Sequence, residues 1–356
     1  MVVTFFLRPF SALYGQILVF RNWLFDRQLK TVYRPEQRTI SVGNLTVGGT
    51  GKTPMIEFLV GKLLSGSLNL SANHPETHSL ATLSRGYGRQ TKGFRFVTPA
   101  DTAQTVGDEP LQIYRKFRSR ILVAVAERRA VGLKQLLGQF SQIRAVLLDD
   151  AFQHRAVQPH LNILLTDYNR PFFRDHPFPE GRLREGRNGA KRADVIVVTK
   201  CPADLTLTQQ QLCIDAIKPY KDTGTPIFFA CIEYASPQPF GASTYNFTKQ
   251  QPVVLVSGLA NADPLEAYVA QTFSLNRHYR FNDHFAYSRA TVDELLRERP
   301  AGAALLTTEK DWVKLEPLFT PDERATLPLY YLPMTIRFLN DERAFLDQIW
   351  ATIHPN

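Results

Sequence analysis

Short apolar runs rich in β-branched residues alternate with segments of helical periodicity along the first half of the chain. The strand-like runs are residues 39–42, 80–84, 121–125, 144–150, 161–166 and 195–200. Segments with apolar residues at three- and four-residue steps follow at 55–63 and 111–117. This alternation predicts a doubly wound parallel sheet with helices on its faces.

The second half repeats the rhythm on a smaller scale. Strands are predicted at 226–232, 252–258, 278–281, 303–311 and 327–332, with a helix around Asp263 and an amphipathic helix at 340–353. A chain of 356 residues exceeds the usual size of one domain. We therefore predict a first domain over 1–225, a smaller α/β domain over 226–337 and a C-terminal helix over 338–356.

The first thirty residues carry an apolar stripe on a predicted helix. Its members fall at helical spacing: Phe6, Phe10, Leu13, Ile17, Phe20 and Leu24. Arg8 and Arg21 interrupt the run well short of the roughly 18–20 apolar residues of a membrane span, and no small-residue cleavage site marks a signal peptide. The stripe fits either a helix in a membrane interface or one packed on its own domain.

A glycine-rich loop joins the first strand to the first periodic helix, in the sequence TISVGNLTVGGTGKTP at 39–54. Strand, glycine loop, Lys-Thr and helix together form the context of a phosphate-binding P-loop. Lys52 would reach the β/γ-phosphates and Thr53 would bind Mg²⁺. The usual pattern has glycine where this chain has Thr46, with a Gly-Gly pair two residues later. The loop nevertheless predicts a nucleotide site.

Two acidic pairs follow this loop along the chain. Asp149 and Asp150 end a buried strand, as in the Walker B pattern, whose acid orders Mg²⁺. Asp108 and Glu109 begin a predicted helix. On the pattern alone we favour a helix cap for the second pair, and activation of a substrate hydroxyl is the alternative.

Charged and polar residues also follow other predicted strands. Arg85 and Arg89 come after the strand at 80–84 and fit either an anion contact or a solvated turn. Gln153 and His154 follow the acidic strand end and would lie at the same edge of the sheet.

Composition narrows the class of partner. The formal net charge of +9 favours an anionic partner, but no helix-turn-helix or RNA-binding motif stands out, so we expect no nucleic acid. Three cysteines without metal-type clustering favour a reducing compartment and argue against structural zinc. A GTPase would have an aspartate in its base-reading motif after the last strand. The segment Thr-Lys-Cys-Pro at 199–202 lacks that aspartate, which argues against guanine specificity.

Taken together, these segments resemble the tetraacyldisaccharide 4'-kinase family of Gram-negative bacteria. The matching blocks, in order from about residue 3 to 338, are VGNLTVGGTGKTP, LSRGYGR, GDEP, LDDAFQHR, EGRLRE, VTK, SGLA, NDHFAYS, LTTEKDWVKL and LPMTIRF. The loop with Thr46 and the Gly-Gly pair is the family's own form. Ala151, Gly186 and Asn282 depart from the family pattern, which affects local loop shape only.

The resemblance implies an activity and an architecture. The family uses ATP and Mg²⁺ to phosphorylate the 4'-hydroxyl of a tetraacylated glucosamine disaccharide 1-phosphate, giving lipid IVA. It has a P-loop domain and a second α/β domain, with the active site in the cleft between them and a two-stranded linker, here 227–232 and 330–337. An acylated substrate favours a membrane-surface role for the N-terminal helix, and we expect a peripheral monomer at the cytoplasmic face of the inner membrane.

The resemblance also assigns roles to residues. Asp108 takes the position of the general base, with His284 as its partner and Lys52 as the P-loop lysine. The nucleotide-binding positions are Gly48, Gly49, Thr50, Gly51, Lys52, Thr53 and Arg129. The positions around Mg²⁺ are Thr53, Glu109, Asp149 and Asp150. Arg184 and Glu185 match charged positions linked to substrate or phosphates.

Two alternatives remain open on the sequence. One is a P-loop phosphotransferase that acts on a soluble anionic metabolite. The other is a nucleotide-dependent switch or assembly ATPase that transfers no phosphate, in which the pair of Asp108 and His284 would be structural.

Overall fold

A computed structural model of the protein describes residues 2–65, 78–241 and 247–354, with side chains from residue 7. Residues 65–78, which are rich in Ser and Asn and are expected from the sequence to form a polar loop, lie almost wholly outside these ranges. The helices are α1 (Val2–Asp26), α2 (Lys52–Leu64), α3 (Ala103–Val106), α4 (Asp108–Phe117), α5 (Arg129–Gln139), α6 (Leu207–Ile217), α7 (Asp263–Thr272), α8 (Arg289–Glu298), α9 (Glu309–Leu315), α10 (Pro321–Thr326) and α11 (Glu342–Ile353). The strands are β1 (Arg38–Asn44), β2 (Leu80–Ser84), β3 (Arg95–Phe96), β4 (Leu122–Val125), β5 (Ala145–Asp149), β6 (Leu161–Asp167), β7 (Val195–Thr199), β8 (Ile227–Tyr234), β9 (Gln238–Pro239), β10 (Pro252–Gly258), β11 (Ser274–Phe281), β12 (Ala304–Thr308), β13 (Leu329–Leu332) and β14 (Met334–Phe338).

The larger sheet has nine strands in the order β14-β8-β7-β6-β1-β5-β2-β4-β3. Its seven inner strands pair in parallel, and the edge strands β3 and β14 are antiparallel to their neighbours. Apolar side chains such as Ile40, Leu147 and Val197 are fully buried in it, as expected for a sheet covered on both faces. The predicted doubly wound α/β sheet is confirmed.

Strand β1 lies at the centre of this sheet, where the chain reverses its direction of travel. The chain first goes to β2 and β4 on one side, returns to β5 beside β1, and continues with β6 on the other side. Ligands of open α/β sheets bind at the carboxyl ends of the strands at such a switch point. Because Val42 pairs with Asp149, the glycine-rich loop after β1 and the acids after β5 share one edge.

The smaller sheet has five strands in the order β11-β10-β12-β13-β9, parallel except for β9. Two strands lead between the sheets. The chain leaves the larger sheet through β8 and returns through β14, which pairs antiparallel with β8 at Ile336 and Ile232. The predicted linker strand at 330–337 is therefore split: Tyr330 belongs to β13, and Pro333, which has no N–H for a strand ladder, separates it from β14.

The last helix packs on the larger sheet. Phe345, Ile349 and Ile353 are buried in one apolar cluster with Phe58 of α2 and Phe338 of β14. Side chains of this size contribute about 1.5–3 kcal/mol each when fully buried. We call the nine-stranded sheet with its helices, including α11, the first lobe, and the five-stranded sheet with α7 to α10 the second lobe. The domain limits at 225 and 337 stay predictions.

Candidate active site

The loop between β1 and α2 has the shape of a phosphate cradle. Gly51 has φ +84° and Gly48 has φ +114°, left-handed values that favour glycine. Asn44 holds the loop from inside, donating through Nδ2 to Thr50 Oγ1 at 2.8 Å. Thr199 donates through Oγ1 to the carbonyl of Thr50 at 2.8 Å. Sequence reasoning did not single out Asn44 or Thr199, although each is a polar residue that ends an apolar strand.

Helix α2 begins at Lys52, directly after this loop. Its first N–H groups have no intrahelical acceptors and, with the helix dipole, form an anion site. The predicted nucleotide positions at 48–53 thus lie in one continuous loop and helix start. Lys200, also outside the prediction, donates to the carbonyl of Gly49 at 2.5 Å and pairs with Asp167 at 2.9 Å.

The acidic end of β5 faces the P-loop lysine. Asp150 Oδ1 lies 3.7 Å from Lys52 Nζ. Arg184 Nη1 donates to both oxygens of the same carboxylate, at 2.8 and 2.7 Å. Burial opposes ionisation of Asp150, but the charges of Lys52 and Arg184 outweigh it and lower its pKa. Asp150, Lys52 and Arg184, all predicted site residues, are therefore brought together.

At Asp149 and Glu109, unlike at Asp150, burial outweighs the nearby positive charges, and the pKa is raised. Burial raises the pKa of Asp149, and the neighbouring charges of Glu109 and Asp150 raise it further. Burial likewise raises the pKa of Glu109. Asp149 Oδ1 is buried and has no hydrogen-bond partner. Clustered carboxylates with an unused buried oxygen fit a bound cation.

These acids do not form a complete metal cage. Within the described residues, no group of three His, Cys, Asp or Glu side chains is arranged to hold a metal ion. Mg²⁺ commonly binds through one or two carboxylates and completes its shell with water and substrate phosphates. The donor set Thr53, Glu109, Asp149 and Asp150 fits that mode, and its assignment stays a prediction.

Arg129 stabilises the end of β5 by donating to the backbone carbonyl of Asp149. Its side chain is only 2% exposed and donates to the carbonyls of Ala126 and Asp149 at 2.6 and 2.8 Å. Burial lowers the pKa of this guanidinium to about 10, against the raising effect of Asp149. A direct contact of Arg129 with nucleotide stays a prediction.

Asp108 and His284 meet across the two lobes. Asp108 is the first residue of α4, and no side-chain cap bond is formed at that helix start. Its carboxylate instead lies 2.9 and 3.2 Å from His284 Nδ1, in the loop after β11. The cap interpretation favoured by the pattern is therefore wrong. Only the fold brings these two residues, 176 positions apart, into contact.

The pKa values of the two side chains are shifted in opposite directions. The hydrogen bond that His284 donates to Asp108 raises the pKa of His284, against the lowering effects of burial and Lys310. Burial alone would raise the pKa of Asp108, but the bond from His284 and the nearby lysines Lys310 and Lys314 outweigh it, and the pKa is lowered. Asp108 is therefore held ionised, and His284 is biased toward accepting a proton.

The remaining predicted residues lie around this centre. Glu185 is 3% exposed and accepts hydrogen bonds from Gln153, Arg192 and Asn22, so it organises the loop beneath α1. Arg89 is buried against Glu127, which argues against an open anion contact.

Three further side chains line the neighbourhood. Arg85 is exposed. Burial and the charge of Arg129 lower the pKa of His154 to about 4. The exposed ring of Tyr87, which sequence reasoning did not name, lies 5.2 Å from the ring of His284.

The site combines a glycine loop at the centre of a parallel sheet, acids at the adjacent strand end and a carboxylate–histidine pair across a cleft. This combination defines the class of protein, a P-loop phosphotransferase. A family model described as tetraacyldisaccharide-1-P 4'-kinase matches residues 3–354. The chain belongs to this family.

Curated relatives agree over almost the full length. The chain is 37% identical to the tetraacyldisaccharide 4'-kinase of Cytophaga hutchinsonii, over 98% of this chain and 95% of that one. It is 38% identical to that of Flavobacterium psychrophilum, over 96% and 94%. The crystal structure of LpxK from Aquifex aeolicus in complex with ATP superposes with a TM-score of 0.75 at 27% identity, covering 99% of this chain and 100% of that chain.

Proposed function

We propose that this protein is an ATP-dependent kinase that phosphorylates the 4'-hydroxyl of a tetraacyldisaccharide 1-phosphate in lipid A biosynthesis. The carrying observation is the contact of Asp108 with His284, next to Glu109, which interacts electrostatically with the P-loop lysine Lys52. A sugar hydroxyl is a poor nucleophile, and a nucleotide switch has no need of a proton acceptor at that point. The family of the chain gives the acceptor its identity.

The first lobe supplies binding and charge neutralisation. Residues 48–53 would surround the ATP phosphates with backbone N–H groups, and Lys52 would contact the terminal phosphates. Thr53 and the acids Glu109, Asp149 and Asp150 would hold Mg²⁺, which neutralises charge on phosphate oxygens when bound. Arg129 keeps the strand end that carries Asp149 in place.

The pair across the cleft supplies the route for the proton. His284 stands 31% exposed at the cleft, and its Nδ1 is engaged by Asp108. The carboxylate would accept the proton of the sugar hydroxyl, and the imidazole beside it would share that charge. Because one partner comes from each lobe, the base is complete only when the lobes approach.

The N-terminal helix is fixed to the first lobe by its polar face. Ser11 donates to the carbonyl of Pro177 at 2.9 Å, and Arg21 donates to the carbonyl of Gln153 at 2.8 Å. The loop that α1 touches also carries Arg184 and Glu185. The helix therefore lies beside the catalytic cleft.

The opposite face of α1 is apolar and open to solvent. Its exposed side chains include Phe10, Leu13, Ile17, Val19, Phe20 and Trp23, between 44% and 66% exposed. None of the helices described has the length and apolarity to cross a membrane. A large apolar patch on a helix with basic flanks fits a membrane interface. We assign this face to the inner-membrane surface, at its cytoplasmic side, with the protein acting as a monomer.

Replacing Leu13, Ile17 and Phe20 by serine should weaken membrane binding. Each large apolar side chain contributes about 1.5–3 kcal/mol when it leaves water completely. The loss of about half of that contribution at each of the three positions should lower the affinity for lipid vesicles roughly 50–2000-fold. A vesicle flotation assay measures this, with kinetics on vesicle-embedded acceptor. The exposed leucines Leu207 and Leu212, on α6, provide the matched control when changed to serine. Equal binding of both variants would contradict the membrane role of α1.

The activity itself is tested with purified protein, γ-labelled Mg-ATP and tetraacyldisaccharide 1-phosphate in detergent micelles. We expect label in the lipid and none there when the acceptor is omitted. Hydrolysis of ATP without labelled lipid would favour a nucleotide switch instead. Label transferred to a soluble phosphosugar, but not to the lipid, would favour a different phosphotransferase.

A further inference from the structure

The loop that carries His284 has a backbone conformation that needs outside support. His284 has φ +59°, a left-handed value that costs free energy in residues other than glycine. Such a residue keeps its position only when its surroundings fix it. Asp283, the residue before it, accepts from the N–H of His284 at 3.1 Å, which closes the turn but does not attach it to the rest of the lobe.

Lys310 attaches the turn to α9 through Asp283. Its Nζ donates to Asp283 Oδ1 at 2.5 Å, from the first turn of α9. The same ammonium lies 3.9 Å from Asp108 Oδ2 and is only 16% exposed. One cation of the second lobe therefore pairs with the loop of His284 and faces the carboxylate of the first lobe.

The second lysine near Asp108, Lys314, also stabilises the interior of the second lobe. Lys314 also lies 3.9 Å from Asp108 Oδ2. However, it pairs at 3.0 Å with Asp311, which is fully buried, and donates to the carbonyl of Phe285 at 3.2 Å. Loss of Lys314 would leave a buried charge in the second lobe without its partner, which is strongly destabilising. The nearest partner of Lys310, Asp283, is 34% exposed, and the buried Asp108, 3.9 Å away, also contacts His284 and so does not depend on Lys310 alone for a partner.

We propose that Lys310 is a positioning residue for phosphoryl transfer, which holds the loop of Asp283 and His284 and draws the Asp108 carboxylate to it. This inference deepens the proposed function, since it names the group that assembles the base when the lobes close. Its positive charge also compensates the two negative charges, Asp108 and Asp283, that meet His284 from opposite sides.

Lys310→Met should lower kcat by roughly 10–100-fold, since a displacement of about 1 Å in a reacting group has an effect of this size. KM for Mg-ATP should stay near the wild-type value, because the P-loop is untouched. Lys310→Arg keeps the charge and should recover most of kcat. Lys249→Met, at an exposed lysine of the second lobe, is the control. If Lys310→Met matches the control, or if the methionine and arginine variants fail equally, the proposal is overturned.

A second readout does not depend on turnover. In ring-¹⁵N-histidine NMR spectra, assigned with His284→Ala, the wild type should show a hydrogen-bonded Nδ1–H for His284. Lys310→Met and Asp283→Asn should each lose that signal, and the double variant should be no worse than either, because they remove one interaction. Retention of the signal in both single variants would overturn the proposal. Loss of the signal beside a wild type that phosphorylates no lipid would support it while overturning the proposed function.

Discussion

Asp108→Asn should lower kcat by about 10²–10⁴-fold, the range of a lost general base. The amide keeps the size of the carboxylate and one acceptor oxygen for His284, but it cannot take up the proton of the acceptor hydroxyl. The P-loop and the acids after β5 are unchanged, so KM for Mg-ATP should stay within about threefold of wild type. Steady-state kinetics with varied ATP and varied lipid acceptor measure both effects.

His284→Ala is the complementary variant. It removes the partner that holds Asp108 at 2.9 Å and should lower kcat in the same direction. Because the two side chains act as a unit, the double variant should lose much less than the product of the two single losses. Asp263→Asn, at the exposed first residue of α7, is a matched control for a carboxylate at a helix start. Normal turnover in both Asp108→Asn and His284→Ala would show that the pair is only structural.

The architecture of the first lobe follows from local patterns. Buried parallel strands are continuous apolar runs, so β1, β2, β4, β5, β6 and β7 stand out from the helices between them. The edge strands β3 of the larger sheet and β11 of the smaller sheet do not stand out in this way. Arg95–Phe96 has two residues and no periodicity to detect, and β11 mixes half-buried and exposed positions without a regular alternation. Its predicted span, 278–281, covered only the second half of the strand Ser274–Phe281.

The site was predictable only where its residues are close in sequence. The loop at 48–53 carries its own pattern of glycines, lysine and threonine, and the structure has it as one cradle. On the pattern alone Asp108 fits a helix cap, because its hydrogen-bond partner comes from the other lobe. Only the family resemblance paired it with His284. The sequence pattern does not reveal Asn44, Lys200 or Lys310 for the same reason, because each acts through a contact that the fold creates.

Backbone strain gives an independent indication of the site. Asp150, Lys200 and His284 all have positive φ, between 47° and 59°. Each directly follows, or lies within three residues of, the carboxyl end of a parallel strand: β5, β7 or β11. Non-glycine residues in this region are uncommon and collect at functional sites. Three of the six non-glycine residues with positive φ in the described part of the chain thus lie at strand ends near the site, and the other three, Gln28, Arg118 and Asp341, lie elsewhere.

Lys52→Met should lower kcat on the order of 10²–10³-fold, comparable to the loss of one preorganised charge at a transition state. The Lys52 side chain is 10% exposed, and its ammonium lies 3.7 Å from Asp150 Oδ1. Its contact with the terminal phosphates would strengthen as charge moves during transfer, so kcat should fall more than the affinity for ATP. Asp150 retains Arg184, so the variant should fold normally.

Lys62→Met is the matched control, because Lys62 lies on the same helix and pairs with Glu342 at 2.5 Å near the surface. Thermal unfolding of both variants separates catalysis from stability. Isothermal titration with a non-hydrolysable ATP analogue separates catalysis from binding. If Lys52→Met phosphorylates the lipid as fast as Lys62→Met, the loop at 48–53 is not the site of the triphosphate. If it loses turnover while analogue binding changes by less than about tenfold, the lysine acts mainly on the transition state.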